Sequence, residues 1–230
     1  MRPGMIHSRR FIAPNLLRLA ILLAISLTGC ASVKPTQTGY LSDYSHVEKK
    51  PTFLNWGFGY HKVSIREPTP AELTGIDSFF IEPIGWLCPE NDWLGKDPTR
   101  RERVTAALDR NLRDRFGKIR PIVSTPGPNT ARVHAAVTDV ASARNITNIL
   151  ASIVFGPISN GGASIEAEVL RPDGGQIAAV TGASHGGGLD VIGYYVRSGH
   201  AKKAVRRLAG DLSSGIAEAA EQPVYVPKCP

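Results

Sequence analysis

Apolar and polar residues alternate along several stretches of this chain, in the period-two pattern that is typical of a strand with one face in a core. The alternation is clearest over 131–141 and 163–170, where small or branched apolar residues take every second position. We expect the second stretch to direct Ile165, Ala167 and Val169 inward and Ser164, Glu166 and Glu168 outward. Both stretches are therefore predicted to be strands with one polar face.

Shorter apolar runs predict further strands. Val63 and Ile65 alternate with polar neighbours, 76–84 is apolar up to Pro83, and 119–123 is a third short run. Residues 172–175 (Pro-Asp-Gly-Gly) predict a turn, because proline fixes φ at the first corner and glycine readily adopts positive φ. The stretch 176–183 is then the return strand of a hairpin.

Two other stretches have helical spacing. The first has Asp97 as its N-cap and Pro98 in its first turn, and it ends at Gly117. The second runs from about 199 to 218. Their apolar faces consist of Val104, Leu108, Leu112 and Phe116 in the first helix and Ala201, Val205, Leu208, Leu212 and Ile216 in the second. Strands clustered between two helices predict a single α+β domain, with an antiparallel or mixed sheet of about five strands covered by two main helices.

The first 30 residues have the organisation of an export signal. Four arginines and no acid accompany an apolar run over 19–27, which is too short to span a bilayer. The run leads into 27–30 (Leu-Thr-Gly-Cys), which resembles the lipobox of bacterial lipoproteins. The resemblance implies cleavage between Gly29 and Cys30 and attachment of lipid to the Cys30 thiol. The alternatives are an ordinary signal peptide with a chance cysteine and a short buried helix.

The residues after Cys30 bear on location and on the domain boundaries. Ala31 and Ser32 stand where an aspartate would favour retention in the inner membrane, so the lipobox resemblance implies the outer membrane, facing the periplasm. The stretch 30–39 is polar and aperiodic, which predicts a lipidated flexible tether. The predicted divisions are a signal peptide at 1–29, the tether at 30–39, a periplasmic domain at 40–222 and a C-terminal tail at 223–230.

Charge and cysteine content narrow the possible functions. The formal net charge is +7, and removal of the four arginines in 1–29 would lower it to +3, which gives little reason to expect a nucleic-acid partner. The six histidines have no metal-ligand spacing, so we predict neither a metal nor a cofactor. Cys88 and Cys229 are a candidate disulfide in an oxidising compartment, and the alternative is two unpaired thiols.

One stretch imitates a hydrolase motif. Residues 182–186 (Gly-Ala-Ser-His-Gly) match the G-x-S-x-G nucleophile elbow, and Asp190 and His200 follow in hydrolase order. The elbow requires a strand, a sharp turn and an immediate helix, whereas glycines and an irregular stretch follow here. We therefore predict that the protein is not an enzyme, and Ser184 is the nucleophile of the alternative interpretation.

A long uncharged stretch is a candidate docking surface. Residues 145–165 contain no charged side chain, and Gly156-Pro157 would end a helix within them. The apolar positions at helical spacing are Ile146, Ile149, Leu150, Ile153 and Val154. One interpretation is an insertion packed on the domain's own core, and the other is a face that docks a partner or the bilayer surface.

Three sequence motifs occur in the order found in one lipoprotein family. They are 39–45 (Gly-Tyr-Leu-Ser-Asp-Tyr-Ser), 126–128 (Pro-Gly-Pro) followed by 135–140, and 161–168. Over most of 39–220 the chain thus resembles the DUF3313 family of bacterial lipoproteins, which is named for having no known function and brings no catalytic residues. We expect a membrane-anchored module for binding or envelope assembly. The alternatives are an auxiliary lipoprotein subunit of an envelope transport system and a small cell-envelope hydrolase.

Overall fold

A mixed β-sheet forms the centre of the fold. The structure, a computed structural model, describes residues 33–50, 53–55, 59–89, 97–141, 161–185 and 199–221. In these ranges the strands are β1 (Glu48–Lys49), β2 (Phe53–Asn55), β3 (Gly59–Arg66), β4 (Ser78–Ile81), β5 (Gly85–Trp86), β6 (Thr130–Ala141), β7 (Gly162–Leu170) and β8 (Gln176–His185). The helices are α1 (Pro98–Phe116) and α2 (Gly199–Glu221), and Pro70–Leu73 is a short 3₁₀ turn.

The strand order across the sheet is β1-β3-β8-β7-β6-β4, and the short strands β2 and β5 pair with β3 and β6. Among the strand pairs of the described residues, only β4–β6 and β5–β6 are parallel. The expected α+β class and mixed sheet are therefore confirmed, with more strands than the five predicted. The additional strands are mostly very short, and isolated short runs carry little periodic signal.

The predicted strand over 119–123 is wrong. In this stretch the structure has a single bridge, between Ile122 and Phe79. The Pro121 carbonyl accepts a hydrogen bond from the Phe79 amide at 2.9 Å, but proline has no N–H to extend a ladder. The stretch therefore contacts β4 without becoming a strand.

The turn and helix signals are confirmed. Asp97 Oδ1 accepts hydrogen bonds from the amides of Thr99 and Arg100 at 3.1 and 3.3 Å, and Gly117 caps the end of α1. In the β7–β8 hairpin Gly174 has φ 89°, as the predicted turn requires. The second helix ends at Glu221, three residues beyond the predicted end. In the described residues, no helix is both long and apolar enough to cross a membrane.

Both helices pack on one face of the sheet and form the main core with it. Every residue of the two predicted apolar faces is buried. Phe116 of α1 meets Phe79 of β4 edge to face, with ring centroids 4.9 Å apart. Under α2 the fit is close, since a Cβ added at Gly182 would lie 2.5 Å from Leu208 Cδ2. Gly182 thus gives Leu208 room to sit directly on β8.

Leu208→Ala tests this packing. Leu208 is fully buried, so we expect a loss of about 2–5 kcal/mol in the free energy of unfolding from lost burial and the cavity left behind. Arg206→Ala, at an exposed position on the same helix, is the matched control and should change it by less than about 0.5 kcal/mol. Urea denaturation measures both. Equal effects of the two substitutions would contradict the assigned helix face.

Candidate functional site

The second face of the sheet holds two buried carboxylates, where the sequence pattern predicts an outward polar face. Glu166 is 0% exposed, Glu168 is 1% exposed, and Ser164 beside them is fully buried. The prediction that these three residues face outward into solvent is therefore wrong. The reason lies far away in the chain, because residues 33–45, hereafter the N-terminal segment, cover this face.

The N-terminal segment runs along β7 in the direction of that strand. It begins with Val33, which packs on Ala183 and whose carbonyl oxygen lies 2.8 Å from His185 Nε2. It then passes Glu166 and reaches Glu168 near Ser42. Residues 33–39, which we expected to form part of a flexible tether, are packed on the domain in the structure.

Glu166 is held by four hydrogen bonds, all from neutral donors in the N-terminal segment. Oε1 accepts from the Thr36 hydroxyl at 3.0 Å and from the Thr38 amide at 2.9 Å. Oε2 accepts from the Thr38 hydroxyl at 3.1 Å and from the Tyr44 hydroxyl. A buried carboxylate requires such donors, because burial removes it from water.

Tyr44 connects the backbone of the segment to Glu166. Its hydroxyl oxygen accepts hydrogen bonds from the amides of Gly39 and Leu41 at 3.0 and 3.2 Å. Its own hydrogen is therefore available only for donation to Glu166. Burial, together with this hydrogen bond, raises the pKa of the Tyr44 hydroxyl, so the proton that makes the contact is retained.

Glu168 is held in the same way at the other end of the segment. Its Oε2 accepts from the Ser42 amide at 2.9 Å, the Ser42 hydroxyl at 2.7 Å and Gln176 Nε2 at 2.7 Å. Its Oε1 lies 3.3 Å from His134 Nδ1. Ser42 thus bonds a side chain that lies 126 residues away along the chain.

An aromatic contact lies next to Glu168. Tyr40 stacks on His134 with ring centroids 4.0 Å apart, and its hydroxyl donates to the Ala135 carbonyl at 3.0 Å. Burial and the carboxylates of Glu82, Glu168 and Glu166 raise the pKa of Tyr40. Leu41, the next residue of the N-terminal segment, is buried.

Glu166 and Glu168, with the donors that the N-terminal segment supplies to them, are hereafter called the latch, because they hold this segment on the sheet. Three of the four carboxylate oxygens accept hydrogen bonds from the same chain, and the fourth lies 3.3 Å from His134 Nδ1, which leaves little capacity for a substrate or for general acid–base work. Within the described residues no group of three or more His, Cys, Asp or Glu side chains is arranged to hold a metal ion. The site instead fixes the N-terminal segment to β7.

Ser184, the candidate nucleophile, lies within β8 and is 1% exposed. Its cross-strand neighbour is His61, and His61 Nε2 lies 3.0 Å from Asp211 Oδ2 on α2. The sequence pattern does not reveal His61 and Asp211, because they come from elements far apart in the chain and no spacing connects them. Of the partners it named, His200 is buried at the start of α2, and Asp190 lies outside the described residues.

Several other predicted site residues also fall outside the described residues. They are Gly29, Cys30, Cys229 and the candidate docking face of Ile146, Ile149, Leu150, Ile153 and Val154. Cys88 is described and buried, with its sulfur 3.8 Å from the Val137 carbonyl oxygen. The lipid attachment, the disulfide and the docking face therefore stay predictions.

A shallow cleft of about 430 Å³ lies between the C-terminal parts of α1 and α2. Arg115 and Glu221 both line it, so its charge is mixed. The hydroxyls of Ser213 and Ser214 in its wall donate to helix carbonyls at 3.1 and 3.0 Å. The described lining of the cleft therefore has no cluster of like charges that would favour one class of ligand.

The comparison with known families identifies the chain. Residues 36–212 match the family described as "Protein of unknown function (DUF3313)". The chain belongs to this family. The match begins at Thr36, the first residue that bonds Glu166, so the family region includes the latch, the sheet, α1 and the part of α2 up to residue 212.

The other comparisons are distant. No functionally curated protein matches this sequence significantly. Among solved structures, the PelC dodecamer from Paraburkholderia phytofirmans has 10% identity and a TM-score of 0.43, covering 68% of this chain and 97% of that one. A point variant of the same dodecamer has 11% identity and a TM-score of 0.42, with the same coverage. A likeness of this size carries no functional conclusion.

Glu166→Gln tests the latch. Glutamine has one oxygen and one amide nitrogen, so in either orientation its nitrogen meets an obligate donor, the Thr38 amide or the Tyr44 hydroxyl. We expect a loss of about 2 kcal/mol in the free energy of unfolding and faster hydrogen exchange over 33–45, because a buried polar group is left unsatisfied. Urea denaturation and exchange mass spectrometry measure these effects in a chain that begins at position 30, with Cys30 replaced by serine.

Glu168→Gln is the matched control. Its amide oxygen can take the place of Oε2 and keep all three donors, while its nitrogen faces His134 Nδ1, which accepts in one neutral tautomer. We expect a loss below about 1 kcal/mol and little change in exchange. Equal effects of the two substitutions would contradict the donor assignment at Glu166.

Proposed function

We propose that this protein is a lipid-anchored periplasmic module of the outer membrane that acts by binding or assembly rather than by catalysis. The sequence support is the order of arginines, apolar run and Leu-Thr-Gly-Cys ending at Cys30. The structural support is the latch, because it makes the chain that follows Cys30 an integral part of the domain. Such a connection suits a protein whose task depends on position relative to a membrane.

Occupied carboxylates and an enclosed serine favour binding over catalysis. The two buried carboxylates are occupied by donors of the same chain, and Ser184 is enclosed within a strand. A role as an auxiliary subunit of an envelope transport system is a form of the same proposal with a defined protein partner. In either form Cys30 supplies the membrane contact and the domain supplies the surface for the partner.

Hydrolysis at Ser184 is the second candidate function. The observation in its favour is that His61 lies across the strand pair from Ser184 and contacts Asp211. Against it, a nucleophile must be reached by its substrate, and Ser184 is 1% exposed within β8 rather than placed on a turn. We therefore favour a structural role for this group of side chains.

Reaction with a fluorophosphonate probe separates the two functions. Because Ser184 is enclosed, we expect the folded wild-type chain to show no more labelling than the Ser184→Ala variant. In-gel fluorescence of the labelled proteins is the measurement, with an active serine hydrolase as the positive control. Labelling of the wild type that disappears in Ser184→Ala would support the hydrolase instead.

Cys30→Ser tests the anchor. A hydroxyl is a poor acceptor for the lipid compared with a thiolate, so we expect this variant to lose acylation. Growth of cells with an alkyne fatty acid, followed by coupling to a fluorophore, measures the attached lipid. Cys88→Ser is the control that should keep the label. Undiminished labelling of Cys30→Ser would overturn the proposed anchor.

A further inference from the structure

We infer that the end of the sheet formed by Gly162 and His185 faces the phospholipid headgroups of the membrane that holds Cys30. This inference rests on the proposed lipid anchor and adds an orientation and a contact surface to it. Gly162 is the first residue of β7 and pairs with His185, the last residue of β8. Ala141, the last residue of β6, pairs with Gly162 at the same end.

The course of the N-terminal segment identifies this end. Val33 lies against Ala183 and His185, and the segment then proceeds past Glu166 toward Glu168 and Gln176. It thus enters the domain at the Gly162–His185 end and travels toward the hairpin turn at the opposite end. The residues that precede Val33 join the domain at the first of these ends.

Chain length makes the contact unavoidable for an acylated Cys30. Three residues of fully extended chain span at most about 11 Å, and this is the limit from Cys30 to Val33. A free tether up to residue 39 would have allowed about 32 Å. The headgroup layer is itself roughly 5–8 Å deep on each side of the bilayer, so Val33 is held at or near its outer boundary.

Charge at this end suits anionic headgroups. Lys34 is exposed beside Val33, and Lys62 pairs across the strands with Ala183, on which Val33 packs. In the part of the chain that the structure describes, neither lysine has an acidic partner. Lysines close to a membrane surface are attracted to anionic lipids.

The opposite end is then directed into the periplasm. β8 has ten residues, so the hairpin turn at Gly174 lies about 30 Å from the Gly162–His185 end. This distance is almost three times the reach of the chain between Cys30 and Val33. The two ends of the sheet should therefore differ clearly in their access to lipid.

Headgroup quenching tests the orientation. A fluorescent amino acid is encoded in place of Lys34 or Asp173 in the full lipidated chain, which leaves all cysteines unchanged. The protein is reconstituted in vesicles of phosphatidylethanolamine and phosphatidylglycerol that contain headgroup spin-labelled phosphatidylcholine. We expect several-fold stronger quenching at position 34 than at position 173, and the Cys30→Ser chain gives the background.

A spacer supplies a second measurement. About ten Gly-Ser residues inserted between Ser32 and Val33 add a span of roughly 17 Å without changing the described domain. We expect this spacer to reduce the quenching at position 34 toward that at position 173, while the protein still floats with the vesicles.

Flotation separates failure of the inference from failure of the proposed function. If the lipidated chain floats but positions 34 and 173 are quenched equally, or 173 more strongly, the orientation is wrong and the anchor stands. If the spacer leaves the strong quenching at position 34 unchanged, the short connection does not set the orientation, and the inference is overturned. If the chain does not float with vesicles, the proposed anchor is wrong and the inference falls with it.

Discussion

The burial of Glu166 and Glu168 is the constraint on which the second face of this sheet depends. In the part of the chain that the structure describes, no cationic side chain bonds Glu166. Removing an ionised carboxylate from water costs several kcal/mol unless donors replace the lost hydration. At Glu166 those donors are three hydroxyls and one backbone amide, all from residues 36–44. The strand and the segment therefore need each other, because β7 cannot bury its acids without the segment.

This dependence changes the architecture from two layers to three. α1 and α2 cover one face of the sheet with apolar side chains, and the N-terminal segment covers the other through hydrogen bonds. Eight of the nine residues of β7 are buried as a result. A strand with alternating apolar and acidic residues can thus lie in the middle of a protein, provided that the acids meet dedicated donors.

The same arrangement relates the fold to the proposed role. Membership in the DUF3313 family assigns no activity, so functional reasoning depends on what the side chains can do. Here the most elaborate polar cluster is used to hold the chain just after the proposed lipid site. In this protein Glu166, Glu168 and their donors hold the segment that follows the proposed anchor. This use of buried polar groups suits the holding of a position better than the turnover of a substrate.

Local signals in the sequence determined the elements whose causes are local. Asp97, Pro98 and Gly117 set the limits of α1, and 172–175 sets the hairpin, because caps and turns depend on a few neighbouring residues. The apolar faces of both helices were also readable, since helical spacing repeats over many turns. The candidate anchor at Cys30 likewise comes from residue order alone.

Tertiary structure alone decided what happens at Glu166, Glu168 and Ser184. The two acids look solvent-facing in the pattern of β7, and the donors that the N-terminal segment supplies to them lie more than 120 residues earlier in the chain. One signal in the sequence could have indicated this burial: two acids lie within a strand of small residues, and 36–44 is rich in hydroxyl groups and tyrosines. Periodicity alone, however, cannot show that a second layer covers the face. His61 lies across the strand pair from Ser184 and meets Asp211 only because β3, β8 and α2 pack together. Such contacts depend on which distant elements pack together, and this is set by the free energy of the whole fold. A local sequence pattern does not report that free energy.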